Sequence, residues 1–106
     1  MIQKPIPNSR TPETDIDPAF YDRWSPRAFL PDPIPGYQLK GLFEAARWSP
    51  SCYNEQPWIF ILARTEQDRA RFLDLLVEQN RIWAKNAPLL LFIASRIHFT
   101  QTGKVN

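Results

Sequence analysis

A single cysteine, Cys52, and a single histidine, His98, stand among the 106 residues. One thiol forms no internal disulfide, and one Cys with one His makes no Cys/His zinc site, so stapled mini-domains and zinc modules are excluded. Glycine is scarce too: Gly36, Gly41 and Gly103 form neither a phosphate-cradling loop nor a dinucleotide fingerprint. Any nucleotide bound here is therefore held by side chains. Charge of one sign is not in excess, since 13 Lys plus Arg oppose 11 Asp plus Glu for a net +2. That leaves no broad footprint for nucleic acid. The longest apolar stretch, Ala87 to Ser95, is less than half of the roughly 20 residues that cross a bilayer. The N-terminus, with Pro5 and Pro7, is unlike a secretory signal. These absences predict a soluble domain with no nucleic-acid or membrane partner, in a reducing compartment, the cytoplasm.

What the chain does hold is 43% hydrophobic and 13% aromatic residues with 23% charge, enough apolar matter to build a core in a chain of single-domain length. Proline divides it. Eight of the 11 prolines lie between Pro5 and Pro35, so residues 1–17 are expected as an extended arm and residues 18–106 as the domain. Asp17 as N-cap and Pro18 at the first position predict a short helix to Trp24, and Leu30 to Gly36 reads as loop. Leu39, Leu42, Phe43 and Ala46 recur at helical spacing, which predicts an amphipathic helix from Tyr37 to about Ser49, ahead of Pro50. Trp58–Ala63 is short, apolar and β-branched or aromatic, as in a strand buried on both faces. Thr65 caps a further helix with Glu66 and Asp68 in its first turn, reaching toward Lys85. Leu89 to Ser95 is the second such strand, and the polar residues 96–106 read as frayed. The order of elements gives a mixed α and β fold whose strands are covered by helices.

Three groups carry candidate chemistry. Pro26 turns Ser25 toward extended geometry, where alternate side chains share a face, so Arg23, Ser25 and Arg27 offer two guanidiniums and a hydroxyl to an anion such as phosphate. Two surface arginines around a helix-ending Ser-Pro is the structural alternative; Trp24 and Phe29 read as core. The loop SPSCYNEQP, residues 49–57, joins a helix to a buried strand and brings the uncharged polar groups Ser51, Asn54 and Gln56, which suit the edge of a planar heterocycle or, alternatively, the loop's own turns. Cys52 lacks a neighbouring base in sequence and reads as a small buried residue or a cofactor contact, with His98 facing solvent at a strand end. Asn80 and Trp83 share a helix face: either Asn80 turns inward to a ligand, or it is solvated while Trp83 fills the core.

Taken in order, RWSPRAF, AARWSPSCYNEQPWIFILA and NRIWAKNAP leading into LLLFIAS resemble the N-terminal half of the nitroreductase family of FMN-dependent oxidoreductases. The resemblance runs from Tyr21 to about Ser95. It implies a three-layer α+β fold, of the α/β/α type with a sheet covered by helices, of which this chain carries the first half. It implies FMN bound at the interface of a homodimer, or of an assembly with a complementary C-terminal half. It further implies ping-pong two-electron transfer from NADH or NADPH to nitroaromatics, quinones or similar small aromatic acceptors. Carried over residue by residue, Arg23, Ser25 and Arg27 match the family's phosphate and ribityl contacts. Pro50, Ser51, Cys52 and Asn54 match the loop that reaches the flavin from the partner subunit, and Asn80 matches a residue near the flavin ring. Cys52 replaces a serine common in relatives. The flavin carries the hydride, so no acid–base pair is required of the protein. The alternative expectation is a truncated, flavin-free fragment or interaction module without activity of its own.

Overall fold

A computed structural model describes residues 9–106; the first eight residues of the expected arm lie outside the described residues. Helix α1 spans Pro18–Asp22, with the Asp17 carboxylate accepting a hydrogen bond from the Ala19 amide at 2.9 Å. It stops before Trp24, because Arg23 is already extended and its carbonyl is held by Arg10 Nη2 at 2.6 Å. Residues 23–35 then run without regular structure to helix α2, Gly36–Arg47. Helix α2 ends two residues earlier than its sequence pattern. The Trp48 and Ser49 amides still reach back to Ala45 and Ala46, but Pro50 prevents another turn.

A polar loop with one 3₁₀ turn at Cys52–Asn54 leads to strand β1, Trp58–Ala63. Helix α3, Glu66–Leu73, begins on the Thr65 hydroxyl, which accepts from the Asp68 amide at 3.1 Å. The single long helix expected to Lys85 is instead two, because the chain breaks and restarts as α4, Glu78–Ala84. No proline or glycine marks this break. The Leu75 and Leu76 amides tighten onto Phe72 and Leu73, Val77 is extended, and Arg81 Nε caps the Leu76 carbonyl at 2.9 Å. Strand β2 is Leu90–Ser95.

Strands β1 and β2 pair antiparallel, with Trp58 opposite Ser95, Phe60 opposite Ile93 and Ile61 opposite Phe92. On one face Phe60 meets Phe43 of α2, ring centroids 5.3 Å apart and tilted by 58°. Phe72, Leu75 and Leu76, at and after the end of α3, line a cavity of about 160 Å³ together with Leu90, Leu91 and Phe92. Arg69 fastens α3 to the approach of β2 by donating to the Arg64 and Pro88 carbonyls at 2.7 and 3.2 Å. Among the described residues the buried apolar ones are few, namely Leu39, Ala63, Ala84 and Ala87.

Burial on both strand faces is only partly realised. Alternation places Ile59, Ile61 and Phe92 on one face, and they remain 42%, 46% and 47% exposed. Short helices against a two-stranded ribbon do not cover two apolar faces. Residues 96–106 are ordered rather than frayed. The Phe99 amide donates to the Lys104 carbonyl, Asn106 to Ile97 and Gly103 to Phe99 at 2.8–2.9 Å, while His98 bridges Val105. Gly103 makes this turn with φ of +67°, a conformation glycine adopts without steric cost.

Candidate functional site

The segment after α1 carries Arg23, Ser25 and Arg27. The backbone is extended at Arg23 and bends at Arg27, and Arg23, Ser25 and Arg27 are all exposed. Arg23 Nη1 donates to Ser25 Oγ at 3.4 Å, so a guanidinium and a hydroxyl stand together at the surface. Trp24, expected in the core, is 55% exposed, because the described residues place no element over this stretch. Phe29 does turn inward and stacks on Trp83 of α4, with centroids 6.0 Å apart and planes 28° apart. That contact brings the arginine-bearing segment to the helix that carries Asn80. Asn80 itself is exposed while Trp83 is half-buried, the arrangement in which Asn80 is solvated.

The loop between α2 and β1 carries unusual backbone. Tyr53, Asn54 and Gln56 have φ of +49°, +53° and +48°. Asparagine tolerates this region, but for tyrosine and glutamine it costs on the order of 1 kcal/mol each, and such residues persist where surrounding contacts over-determine them. Those contacts are present. Ser51 Oγ accepts from the Gln56 amide at 3.0 Å, and the Asn54 and Glu55 amides bond back to Ser51 and Cys52. Ser51 thus spends its acceptor on the loop's own turn. The effect is to turn Tyr53 outward to 94% exposure. Cys52 is also exposed, so the reading of it as a small buried residue is corrected: the 3₁₀ turn lifts it to the surface. Pro50 and Asn54 are exposed beside it.

At the start of the loop, Glu44 accepts from Arg47 Nε and Nη2 at 3.0 and 2.8 Å and from the Trp48 indole at 2.9 Å. Those bonds, from Arg47 first and Trp48 second, hold the Glu44 carboxyl down at about 2. The Arg47 guanidinium lies 5.0 Å from the centroid of the Trp48 ring, a cation–π arrangement that fixes the helix end from which the loop departs.

At its far end the loop meets residues that the sequence alone does not single out. Arg96 Nη2 donates to the Glu55 and Gln56 carbonyls at 3.3 and 3.2 Å, and Glu55 Oε1 accepts from the Thr100 amide at 2.7 Å. The one signal available was that Glu55 is the only charge between Ser49 and Pro57. A cavity of about 420 Å³ opens between loop and C-terminal turn, walled by Tyr53, Asn54, Glu55, Phe99, Thr100 and Lys104. Tyr53 and Phe99 meet edge to face there, 6.1 Å between centroids. Among the described residues no cluster of His, Cys, Asp and Glu could hold a metal ion, and no helix is long and apolar enough to cross a membrane.

The chain's elements are those of an α+β fold of the nitroreductase type, for which a solved structure gives the direct comparison. A crystal structure described as an oxidoreductase containing FMN superposes with a TM-score of 0.78 and 48% sequence identity, over 88% of this chain and 48% of that one. The sequence pattern of the nitroreductase family matches residues 21–92. A relative from Streptomyces coelicolor, provisionally named an NADH dehydrogenase/NAD(P)H nitroreductase, is 31% identical over 93 residues, 88% of this chain and 45% of its own length. The chloronitrobenzene nitroreductase of Comamonas testosteroni is 36% identical over 67 residues, 62% of this chain and 29% of its own. The chain belongs to the nitroreductase family. It spans less than half the length of these relatives.

Proposed function

We propose that the chain serves an FMN-dependent oxidoreductase that passes two electrons from NADH or NADPH to small aromatic acceptors such as nitroaromatics or quinones. The observation that carries this reading is the exposed segment with Arg23, Ser25 and Arg27, in a chain 48% identical to a protein that contains FMN. The donor set suits the cofactor. A phosphate monoester takes the planar donors of two guanidiniums and one hydroxyl without any glycine loop, and no carboxylate stands among the three side chains to oppose it.

In this reading Arg23, Ser25 and Arg27 hold the phosphate and the adjoining ribityl chain. The loop residues Pro50, Ser51, Cys52 and Asn54 belong to one subunit of a homodimer and face the flavin of the other, with Asn80 near the ring. The exposed, outward-turned positions of Cys52 and Asn54 support a role toward a partner subunit rather than toward this chain's own core. FMN supplies the hydride chemistry when bound, so the residues of the chain bind, orient and shield rather than exchange protons. The lone thiol supports a cytoplasmic setting.

A second reading, an interaction module without flavin, draws on one observation: the half-exposed face of Ile59, Ile61 and Phe92. Absorbance separates the two. Purified protein, as isolated or after incubation with FMN and desalting, is expected to show flavin bands at about 370 and 450 nm. Protein that stays colourless after FMN addition sinks the enzyme reading in favour of the module.

A further inference from the structure

Glu55 joins the loop to a segment far along the chain. Its side chain is only 8% exposed, and Oε1 lies 2.7 Å from the Thr100 amide and 4.0 Å from Arg96 Nη2. Arg96 binds the same stretch through its backbone. It donates from Nη2 to the Glu55 and Gln56 carbonyls, and from its own amide to the Pro57 carbonyl at 2.9 Å. The loop is therefore gripped by its carbonyls from the end of β2 and by its single carboxylate from the C-terminal turn. What lies within that grip is the run Tyr53, Asn54 and Gln56 at positive φ, a shape that relaxes once its neighbours release it.

We propose that Glu55 is a positioning residue: through Thr100 and Arg96 it locks residues 52–56, with Tyr53, Asn54 and Gln56 left-handed, in the shape that presents Cys52 and Asn54 to FMN. This rests on the FMN reading given above. A carboxylate accepting a backbone N–H is a charge-assisted bond, stronger than the neutral contacts elsewhere in the loop. The Thr100 amide, and after it Arg96, holds the Glu55 carboxyl below its ordinary value. The lock is thus complete near neutrality and loosens as pH falls through that lowered value. The other charged or titratable groups that face the site are Arg96, Lys104 and Tyr53.

Two readouts on the intact protein test the proposal. In wild-type protein the Thr100 amide proton shift is expected to titrate with an apparent pKa below the usual glutamate value, and E55Q is expected to abolish that titration. FMN affinity, followed by quenching of flavin fluorescence, is expected to fall about ten-fold in E55A, with E55Q recovering only part of the loss because its amide oxygen accepts the same bond without the charge. A Thr100 shift that ignores Glu55, or an E55A protein that binds FMN like wild type, overturns the proposal while leaving the flavin reading intact. If E55A does not fold, the E55Q titration together with the pH dependence of wild-type FMN affinity decides in its place. There, an affinity that stays flat through the Thr100 transition overturns the role. Wild-type protein that binds no FMN at any pH overturns the flavin reading and this role with it, whatever Thr100 does.

Discussion

Ser51 Oγ accepts a hydrogen bond from the Gln56 amide at 3.0 Å, closing a loop in which Tyr53, Asn54 and Gln56 itself are left-handed. The same serine that sequence marks as a ligand contact is, in the fold, the staple of its own loop. Ser51→Ala removes the acceptor and leaves the Gln56 amide to water, since Gln56 is exposed. The expected loss is about 0.5–1.5 kcal/mol in urea unfolding, with Ser51→Thr close to wild type because it keeps the hydroxyl. Equal stabilities for Ser51→Ala and wild type would show that the staple contributes nothing.

The phosphate role proposed for the first group can be separated from general damage. Arg23→Ala and Arg27→Ala are each expected to weaken FMN binding by about 1.5–3 kcal/mol, the worth of a charge-assisted contact. Riboflavin, which lacks the phosphate but keeps the ribityl chain, should lose clearly less affinity than FMN in both variants. An arginine variant that loses both ligands equally has lost its fold, and one that loses neither assigns the phosphate elsewhere.

Phe43 is the point where α2 meets the sheet, with its ring 5.3 Å from that of Phe60. Phe43→Ala is expected to cost about 2 kcal/mol, less than a fully buried phenylalanine because the site is only half-covered. Leu42, its neighbour in sequence, is 52% exposed, and Leu42→Ala should cost clearly less. Chemical denaturation of the pair measures whether the helix sits on the sheet through this face; equal losses at both positions would count against it.

Acid should loosen the end of α2. The folded Glu44 carboxyl is held at about 2 against an ordinary 4.5 by Arg47 and Trp48. A folded value below the unfolded one adds stability that is fully present above about 4.5 and is lost as pH falls toward 2. The gap in stability between wild type and Glu44→Gln is therefore expected to be widest near neutrality and to close across that window. The side chains are exposed, so the gap is also expected to shrink in high salt. A gap that is constant from pH 6 to pH 2 would remove Glu44 as its source.

Much of the fold is legible without coordinates because its signals are local. Asp17 and Thr65 are found capping the helices they were expected to begin, and β1 occupies Trp58–Ala63 as its composition implies. The break between α3 and α4 was not legible. It depends on Arg81 reaching the Leu76 carbonyl, and neither a proline nor a glycine announces it. The candidate site divides in the same way. The end of α1 ahead of Ser25 accords with Pro26, which turns its predecessor away from helical geometry, whereas the exposure of Cys52 follows from a turn that holds Tyr53 and Gln56 at φ values their types disfavour.

By itself the sequence determined the starts of α1 and α3, the apolar character of the strands, and the single thiol that leaves no pair for a disulfide within the chain. Each of these rests on residue type and short-range spacing, which act through neighbouring backbone. The tertiary structure decided the antiparallel register of β1 on β2, the open face of Ile59, Ile61 and Phe92, and the grip of Glu55 and Arg96 on the loop. Glu55 and Thr100 lie 45 residues apart in the chain. No local preference encodes a contact at that separation, which forms only after the β1–β2 pair has brought Pro57 and Arg96 side by side.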